Sequence, residues 1–288
     1  MLLLLLCIAA NVSLALLFKV FPKYGIRNLP TIVVNYLSSI AFGSLLAGKM
    51  VINADIIHSP GIAYIIALSI LFIVGFNIMG KSFQLAGISL TTIIQKMSIL
   101  FTAIFAIVFY KDLVSVPKVL GLILAVAAII IVYYLPKNER QEVKEDWKVM
   151  AFPLLAFLLS GVIEVILLIV GTEGFMTDSI SFVSHSFALA SVLGYIAMAF
   201  TSRPFIKPQE ILAGIILGVP NFLTIYLLVV LVERGWDGSV LFPINNIGIV
   251  LIASLAGAII FNEKLNKFKL IGLGLALASI VLIGMELF

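Results

Sequence analysis

The chain is built from apolar blocks of roughly 20 residues, the length that a helix rising 1.5 Å per residue needs to cross about 30 Å of hydrocarbon. Ten blocks are read, at approximately 1–18, 30–48, 61–80, 86–109, 117–135, 149–171, 180–199, 209–232, 238–261 and 268–287. Charge, Gly or Pro bounds each one, as at helix ends in bilayers. Of the 288 residues, 62% are hydrophobic and 11% charged, whereas a soluble domain carries about 25% charged residues. A soluble fold is excluded, and the connections are too short for a soluble catalytic domain. The expected fold class is an all-α membrane protein of ten transmembrane helices.

Eighteen Lys and Arg stand against 14 Asp and Glu, with no dense basic tract of the kind that binds nucleic acid. The single cysteine, Cys7, has no partner for an internal disulfide and reads as a small core residue; Leu6 before it is not the small residue of a lipobox. Met1 to Ala10 resembles the apolar part of a signal peptide. It lacks a basic n-region and runs on to Phe18, so retention as a first span is expected. The longest charged stretch, Lys137 to Lys148, has no apolar periodicity. It is expected to link two five-span units, residues 1–136 and 149–288.

The two halves repeat. A shift of 151 positions lays Asp112 on Glu263, Lys118 on Lys269, Gly121 on Gly272, Leu122 on Leu273, Leu124 on Leu275, Ala125 on Ala276 and Ala127 on Ala278. Leu and Ala matches come cheaply in this composition, but an acid, a lysine and a glycine in one ungapped register do not. An odd number of spans per half turns the second copy upside down, the five-plus-five inverted repeat by which many secondary transporters exchange inward and outward openings.

The residues carrying the repeat also carry a resemblance. FYKDLVSVPKVLGLILAVAAIII, with Asp112 and Gly121, and FNEKLNKFKLIGLGLALASIVLIG, with Glu263 and Gly272, are similar to the pattern of EamA-type transporters of the drug/metabolite transporter superfamily. There an acid follows the fourth span of each half, and a glycine lies nine residues later in a small-residue-rich fifth span. The first copy departs from the pattern in using Asp and in lacking a proline within the fourth span. The resemblance implies a multi-pass carrier of amino acids, sugars, purines, cations or other metabolites, commonly an exporter, with both termini cytoplasmic. It does not specify the substrate.

The bottom-up reading of these markers is structural. Gly121 with Ala125 and Gly272 with Ala276 form small-xxx-small faces for close helix approach. Asp112 and Glu263 lie at the membrane boundary, where each can cap the following helix, pair with Lys118 or Lys269, or remain solvated.

Ionisable groups at membrane depth are costly and point to function by default. Glu164, in SGVIEVILLIV, and Lys96, in TTIIQKMSILF, lie too deep for easy snorkelling. Glu164 can serve as a proton-coupling carboxylate or a ligand for a cationic group; the bland alternative is a fixed buried pair with Lys96. Lys96 can instead hold a carboxylate or phosphate. Neutral polar groups suited to a partly dehydrated solute are Asn11, Asn35, Asn77, Gln95, His185, Asn221, Asn245 and Asn246, each equally able to cross-link helices. Pro243 before Asn245 and Asn246, and Gly218 and Pro220 before Asn221, are expected to break their helices and expose backbone there. Tyr36, Phe222 and Tyr226 are candidate cavity walls, with packing the commoner role. His58 lies in a loop and forms no convincing metal site with His185.

Setting Lys96 aside, 13 of the 17 remaining basic residues fall on the side of the loops that follow spans 1, 3, 5, 7 and 9. Positive-inside counting would therefore put both termini outside, opposite to the family arrangement. Enzyme chemistry is disfavoured: there is no HExxH, no glycine-rich phosphate loop and no evident partner for Ser160. No cofactor or metal is expected. The function expected is alternating-access transport of a small polar metabolite such as an amino acid, with proton coupling through Glu164. Its rivals are a carrier of phosphorylated or anionic solutes using Lys96 and a non-transporting membrane scaffold or receptor. The expected partners are membrane lipid, the solute and protons, with no nucleic acid, and the expected location is a bacterial or archaeal plasma (inner) membrane.

Overall fold

The computed structural model describes residues 1–53, 56, 58–111, 114–133, 147–172, 179–201, 203–233 and 238–284. With no water to satisfy peptide groups in hydrocarbon, the backbone closes its hydrogen bonds within helices. These are α1 (Leu2–Val20), α2 (Asn28–Ala47), α3 (Ile62–Leu85), α4 (Ile88–Lys96), α5 (Ile99–Phe109), α6 (Val116–Tyr133), α7 (Trp147–Thr172), α8 (Ser179–Ala199), α9 (Pro208–Glu233), α10 (Gly238–Phe261) and α11 (Lys267–Gly284).

Eight helical segments are long and apolar enough to span a bilayer, the pair α4–α5 counting as one from Ile88 to Phe109, and a shorter apolar helix covers Val116–Ile131. Each of the ten apolar blocks carries helix. Most of the charged stretch 137–148 lies outside the described residues, and its last two residues open α7.

The sequence places turns where the backbone needs them. Gly25 and Gly48 end a short 3-10 turn and α2 with φ of +62°, a left-handed conformation that glycine adopts without steric cost. Gly87, at φ +93°, makes the tight turn from α3 into α4. The helix breaks expected at Pro220 and Pro243 do not occur. α9 continues through Pro220, and α10 runs over the whole of 238–261, since packed neighbours tolerate the single backbone bond a proline removes.

The break lies instead between α4 and α5. There Met97 and Ser98 donate to Ile94 and Gln95, and Leu100 and Phe101 to Met97 and Ser98, a run of tightened three-residue bonds. No proline marks it.

Packing follows a pseudo-two-fold plan. Exchange the halves, α1 for α7, α2 for α8, α3 for α9, α4–α5 for α10 and α6 for α11, and the interfaces map onto one another. The α3/α7 interface becomes α9/α1, α2/α9 becomes α8/α3 and α4/α7 becomes α10/α1, while α2/α8, α4/α10 and α6/α11 pair with themselves. The five-plus-five inverted repeat is thus written in the contacts. Departures break the symmetry: α3 packs on both α1 and α2, with no comparable α7/α9 or α8/α9 interface among the described residues.

Outward faces are apolar, as lipid requires. Val119, Leu120, Ile123, Val126 and Ile130 of α6 and Leu251, Ile252, Leu255 and Ile259 of α10 are all exposed, a continuous apolar surface of a kind soluble monomers avoid. In the α6/α11 seam Ala125 and Ala276 are fully buried, and Ser279 Oγ donates to the Gly121 carbonyl at 2.7 Å. A Cβ at Gly121 would sit 2.7 Å from Ile283 and 3.0 Å from the Ser279 carbonyl, whereas one at Gly274, on the same α11, would meet nothing within 4 Å. Gly121→Leu is therefore expected to destabilise the folded protein by about 1–3 kcal/mol through overpacking and Gly274→Leu to leave it unchanged, read as melting temperature in detergent.

Candidate functional site

Five helices, α1, α3, α7, α4 and α10, touch in a closed ring, each packed on the next and α10 returning to α1. Polar residues gather near the middle of these helices. On α4, Gln95 and Lys96 end the helix and Ser98 follows in the break. Facing them on α7 are Ser160 and Glu164, on α3 Asn77 and Met79, on α1 Asn11 and on α10 Asn245 and Asn246.

Hydrogen bonds tie part of the set together. Gln95 Nε2 donates to Ser160 Oγ at 3.0 Å and lies 3.3 Å from Met79 Sδ, joining α4, α7 and α3. Ser98 Oγ donates to Glu164 Oε1 at 2.7 Å, so the break in the fourth span presents a hydroxyl to the buried carboxylate. Lys96 and Glu164 lie within electrostatic reach of each other, yet no direct ion pair forms: among the described residues those pairs join Lys19 to Glu263 and Arg27 to Glu210. The Lys96 ammonium has no hydrogen-bond partner among the described residues.

Gln95, Lys96, Asn11, Asn77, Ser160, Glu164 and Asn246 all keep partial surface access although they sit at mid-helix. Such a layer of polar groups inside an apolar ring is suited to a hydrated solute. Asn245 is 3% exposed, and its Oδ1 has no donor. Asn11 and Asn77 bond back to the carbonyls of Cys7 and Ile73 on their own helices at 3.2 and 2.7 Å, each leaving its side-chain oxygen for other partners.

The remaining expected residues lie elsewhere. His185 is on α8, outside the ring, where Nδ1 meets the Ser181 carbonyl at 2.7 Å and Nε2 accepts from the Asn53 amide at 3.0 Å; it fastens residues 51–53 to α8. Asn221 is buried on α9 with Nδ2 unpartnered, and its carbonyl accepts from Thr224 Oγ1. Asn35 is fully buried on α2. Tyr36 stacks on Phe187, and Phe222 stacks on Tyr226, so these rings serve packing. Cys7 is buried and donates to the Thr224 carbonyl.

Of the repeat markers, Gly121 and Gly272 are buried, on α6 and α11. Asp112 lies outside the described residues. Glu263 neither caps α11, where Asn266 Oδ1 accepts the Lys269 amide, nor pairs with Lys269, whose ammonium donates to the Lys264 carbonyl. It reaches instead across to α4. The Ile88 and Ser89 amides donate to Glu263 Oε1 and Oε2 at 2.7 and 3.0 Å, and Lys19 approaches at 3.6 Å. Sequence reading missed two features, since neither leaves a local signal: this reach across the repeat and the clamp of Arg27 on Glu210. In that clamp the guanidinium also donates to the Arg203 and Phe205 carbonyls. Glu210's hydrogen bond and charge raise the Arg27 pKa and keep it cationic.

An inverted repeat with an apolar exterior and a polar ring at mid-depth defines an integral, multi-pass membrane transporter of small solutes. Residues 151–285 match the EamA-like transporter family, which is part of the drug/metabolite transporter superfamily. Similar proteins include one of Haemophilus influenzae described as an "Uncharacterized protein", 24% identical over 95% of this chain and 94% of that one. The "Probable glucose uptake protein GlcU" of Bacillus cereus is 29% identical over 72% of this chain and 71% of its own length; its namesake in Priestia megaterium is 26% identical over 72% of each. A crystal structure 12% identical in sequence shares the fold, with a TM-score of 0.62 over 96% of this chain and 95% of that one.

Ser98→Ala removes the one hydrogen bond Glu164 receives from a side chain among the described residues. It should cost about 1–3 kcal/mol, as for a lost bond to a charged group. In a Glu164→Leu background the same substitution should cost less than half as much, the non-additivity of a direct contact measured by a double-mutant cycle of melting temperatures.

Proposed function

We propose that the protein moves a small zwitterionic metabolite, amino-acid-like in its charges, across a bacterial or archaeal plasma membrane by alternating access around the α1/α3/α7/α4/α10 ring. The observation that carries this reading is the pair of opposite charges, Lys96 and Glu164, at one depth without a direct ion pair between them. A charge left in low dielectric demands a counter-group. A solute bearing a carboxylate and an ammonium supplies both, Lys96 taking the first and Glu164 the second. Gln95, Asn77, Asn11 and Asn246 add neutral donors and acceptors. A phosphorylated solute fits less well, because two or more negative charges would meet one lysine with a carboxylate close by.

A second reading has its own support. The relatives named as glucose uptake proteins cover 72% of the chain, and a neutral sugar would use the same amides with Glu164 as acceptor. Melting temperatures with amino acids, amines, sugars, nucleobases and sugar phosphates separate these readings. A fitting amino acid at about 100 times its dissociation constant should stabilise the fold by about 2.7 kcal/mol, and Lys96→Met should abolish that gain. Stabilisation by sugars alone, unchanged by Lys96→Met, would replace the zwitterion with a sugar.

Glu164 also supports coupling to protons, since a carboxylate in low dielectric exchanges a proton with modest changes in its surroundings. In proteoliposomes, Glu164→Gln is expected to keep solute exchange while losing acceleration by an imposed pH gradient. An undiminished response to the gradient in the variant would remove Glu164 from the coupling step.

A further inference from the structure

Glu263 is held in a built site. Its carboxylate lies between two glycines: a Cβ at Gly87 would be 2.8 Å from Oε1, and one at Gly257 would be 2.9 Å from Oε2. Around it stand the amides of Ile88 and Ser89, Ser89 Oγ at 3.0 Å and the Lys19 ammonium. The left-handed Asn262, at φ +53°, turns the chain after α10, and the Glu263 amide returns to the Gly257 carbonyl at 3.1 Å. The carboxylate therefore satisfies orphan amides at the positive end of α4, as a capping acid does, but from the other half of the protein.

Three of the five ring helices meet at this carboxylate: the end of α1 through Lys19, the start of α4 through Ile88 and Ser89, and the last turns of α10 through Gly257. α4 has nine residues, a rigid rod of about 13 Å at 1.5 Å per residue. One end is held by Glu263, and the other presents Gln95 and Lys96 at the break. Beside this point Phe18 of α1 would lie 2.7 Å from a Cβ at Gly80 of α3, and Gln84 donates to the Phe18 carbonyl at 3.1 Å.

We infer that Glu263 is a positioning residue that latches the solute site shut on this face, and that opening the face requires its carboxylate to leave the α4 N-terminus. When closed, the carboxylate is sheltered and its hydrogen bonds hold the two halves together. When the face opens, water replaces those donors, so the latch releases at modest net cost. The motion passes along α4 to Lys96 and Ser98 without a second moving part.

Replacing the single cysteine by Cys7→Ser and adding Ser160→Cys gives one reporter thiol in the ring. In vesicles of each orientation, its reaction with a membrane-impermeant maleimide reads access from either face. Glu263→Gln, which removes the charge and weakens both amide contacts, is expected to speed labelling from the Glu263 face about tenfold, the population shift for losing about one charged hydrogen bond. Lys19→Gln should speed it about threefold by the weaker ion pair. A rate from that face unchanged in Glu263→Gln, or raised equally from both faces, overturns the latch and leaves Glu263 a static cap. Should Glu263→Gln fail to fold, an unchanged rate in Lys19→Gln overturns it equally. The latch rests on the alternating-access reading. The labelling uses no solute, so failure of the latch and failure of the proposed substrate appear in different measurements.

Discussion

Hydrocarbon offers a polar group no water, and the arrangement of this protein follows from that constraint. Several hydroxyls and amides within the spans bond back to a carbonyl four residues earlier on their own helix, as Ser13, Ser69, Asn77 and Ser186 do. Where helices approach closely, a hydroxyl reaches a carbonyl on the neighbour: Ser39 to Gly218, Ser69 to Ser186, Ser191 to Val33 and Ser279 to Gly121. These contacts place polarity at seams and keep the outer faces apolar. Lys96 without a hydrogen bond and the orphan Oδ1 of Asn245 are exceptions on the ring, and buried side-chain atoms of Asn28, Asn35, Tyr36, Asn221 and Ser254 are exceptions as well.

The pseudo-two-fold network suits the proposed alternating access. Equivalent interfaces such as α3/α7 and α9/α1 each join one helix from each half, so a packing present at one has a twin at the other. The α1/α3 interface breaks that equivalence. It joins Phe18 to Phe76 and Gly80 close to Glu263, with no comparable α7/α9 counterpart among the described residues. A difference between twins is the structural form of a closed face and an open one, and it requires no difference in the composition of the two halves.

Much of this was legible in the sequence because hydrophobic blocks and an ungapped repeat report global constraints. The helical membrane fold, the inverted repeat and the likeness to EamA-type transporters all follow from patterns spread over many residues. The details that failed to be legible are local or cross the repeat. Proline suggested breaks at 220 and 243, but the interruption came at Lys96–Ile99, where tertiary packing by α7 and α10 decides the path and no residue type announces it. Depth alone identified Lys96 and Glu164, and depth alone could not say whether they touch. His185, Asn221 and Tyr36 looked polar or aromatic at the right depth yet belong to other interfaces, because a linear sequence does not say which side of a helix faces the ring.

The repeat markers illustrate why likeness to a family says so little about cargo. Gly121 works in the α6/α11 seam, a helix pair that takes no part in the five-helix ring. Glu263 sits a full α4 length from the polar layer and binds backbone amides, groups that every residue possesses and that carry no information about solute. What the acid needs in return is an α-helix N-terminus with a glycine before it, and the 151-residue shift that lays Asp112 on Glu263 also lays Gly87 on Gly238. The acid and the glycine recur together although they lie far apart within each half, as expected if they form one mechanical unit. On the proposed reading, substrate choice falls to Lys96, Glu164 and the amides around them, side chains a full α4 length away from that unit.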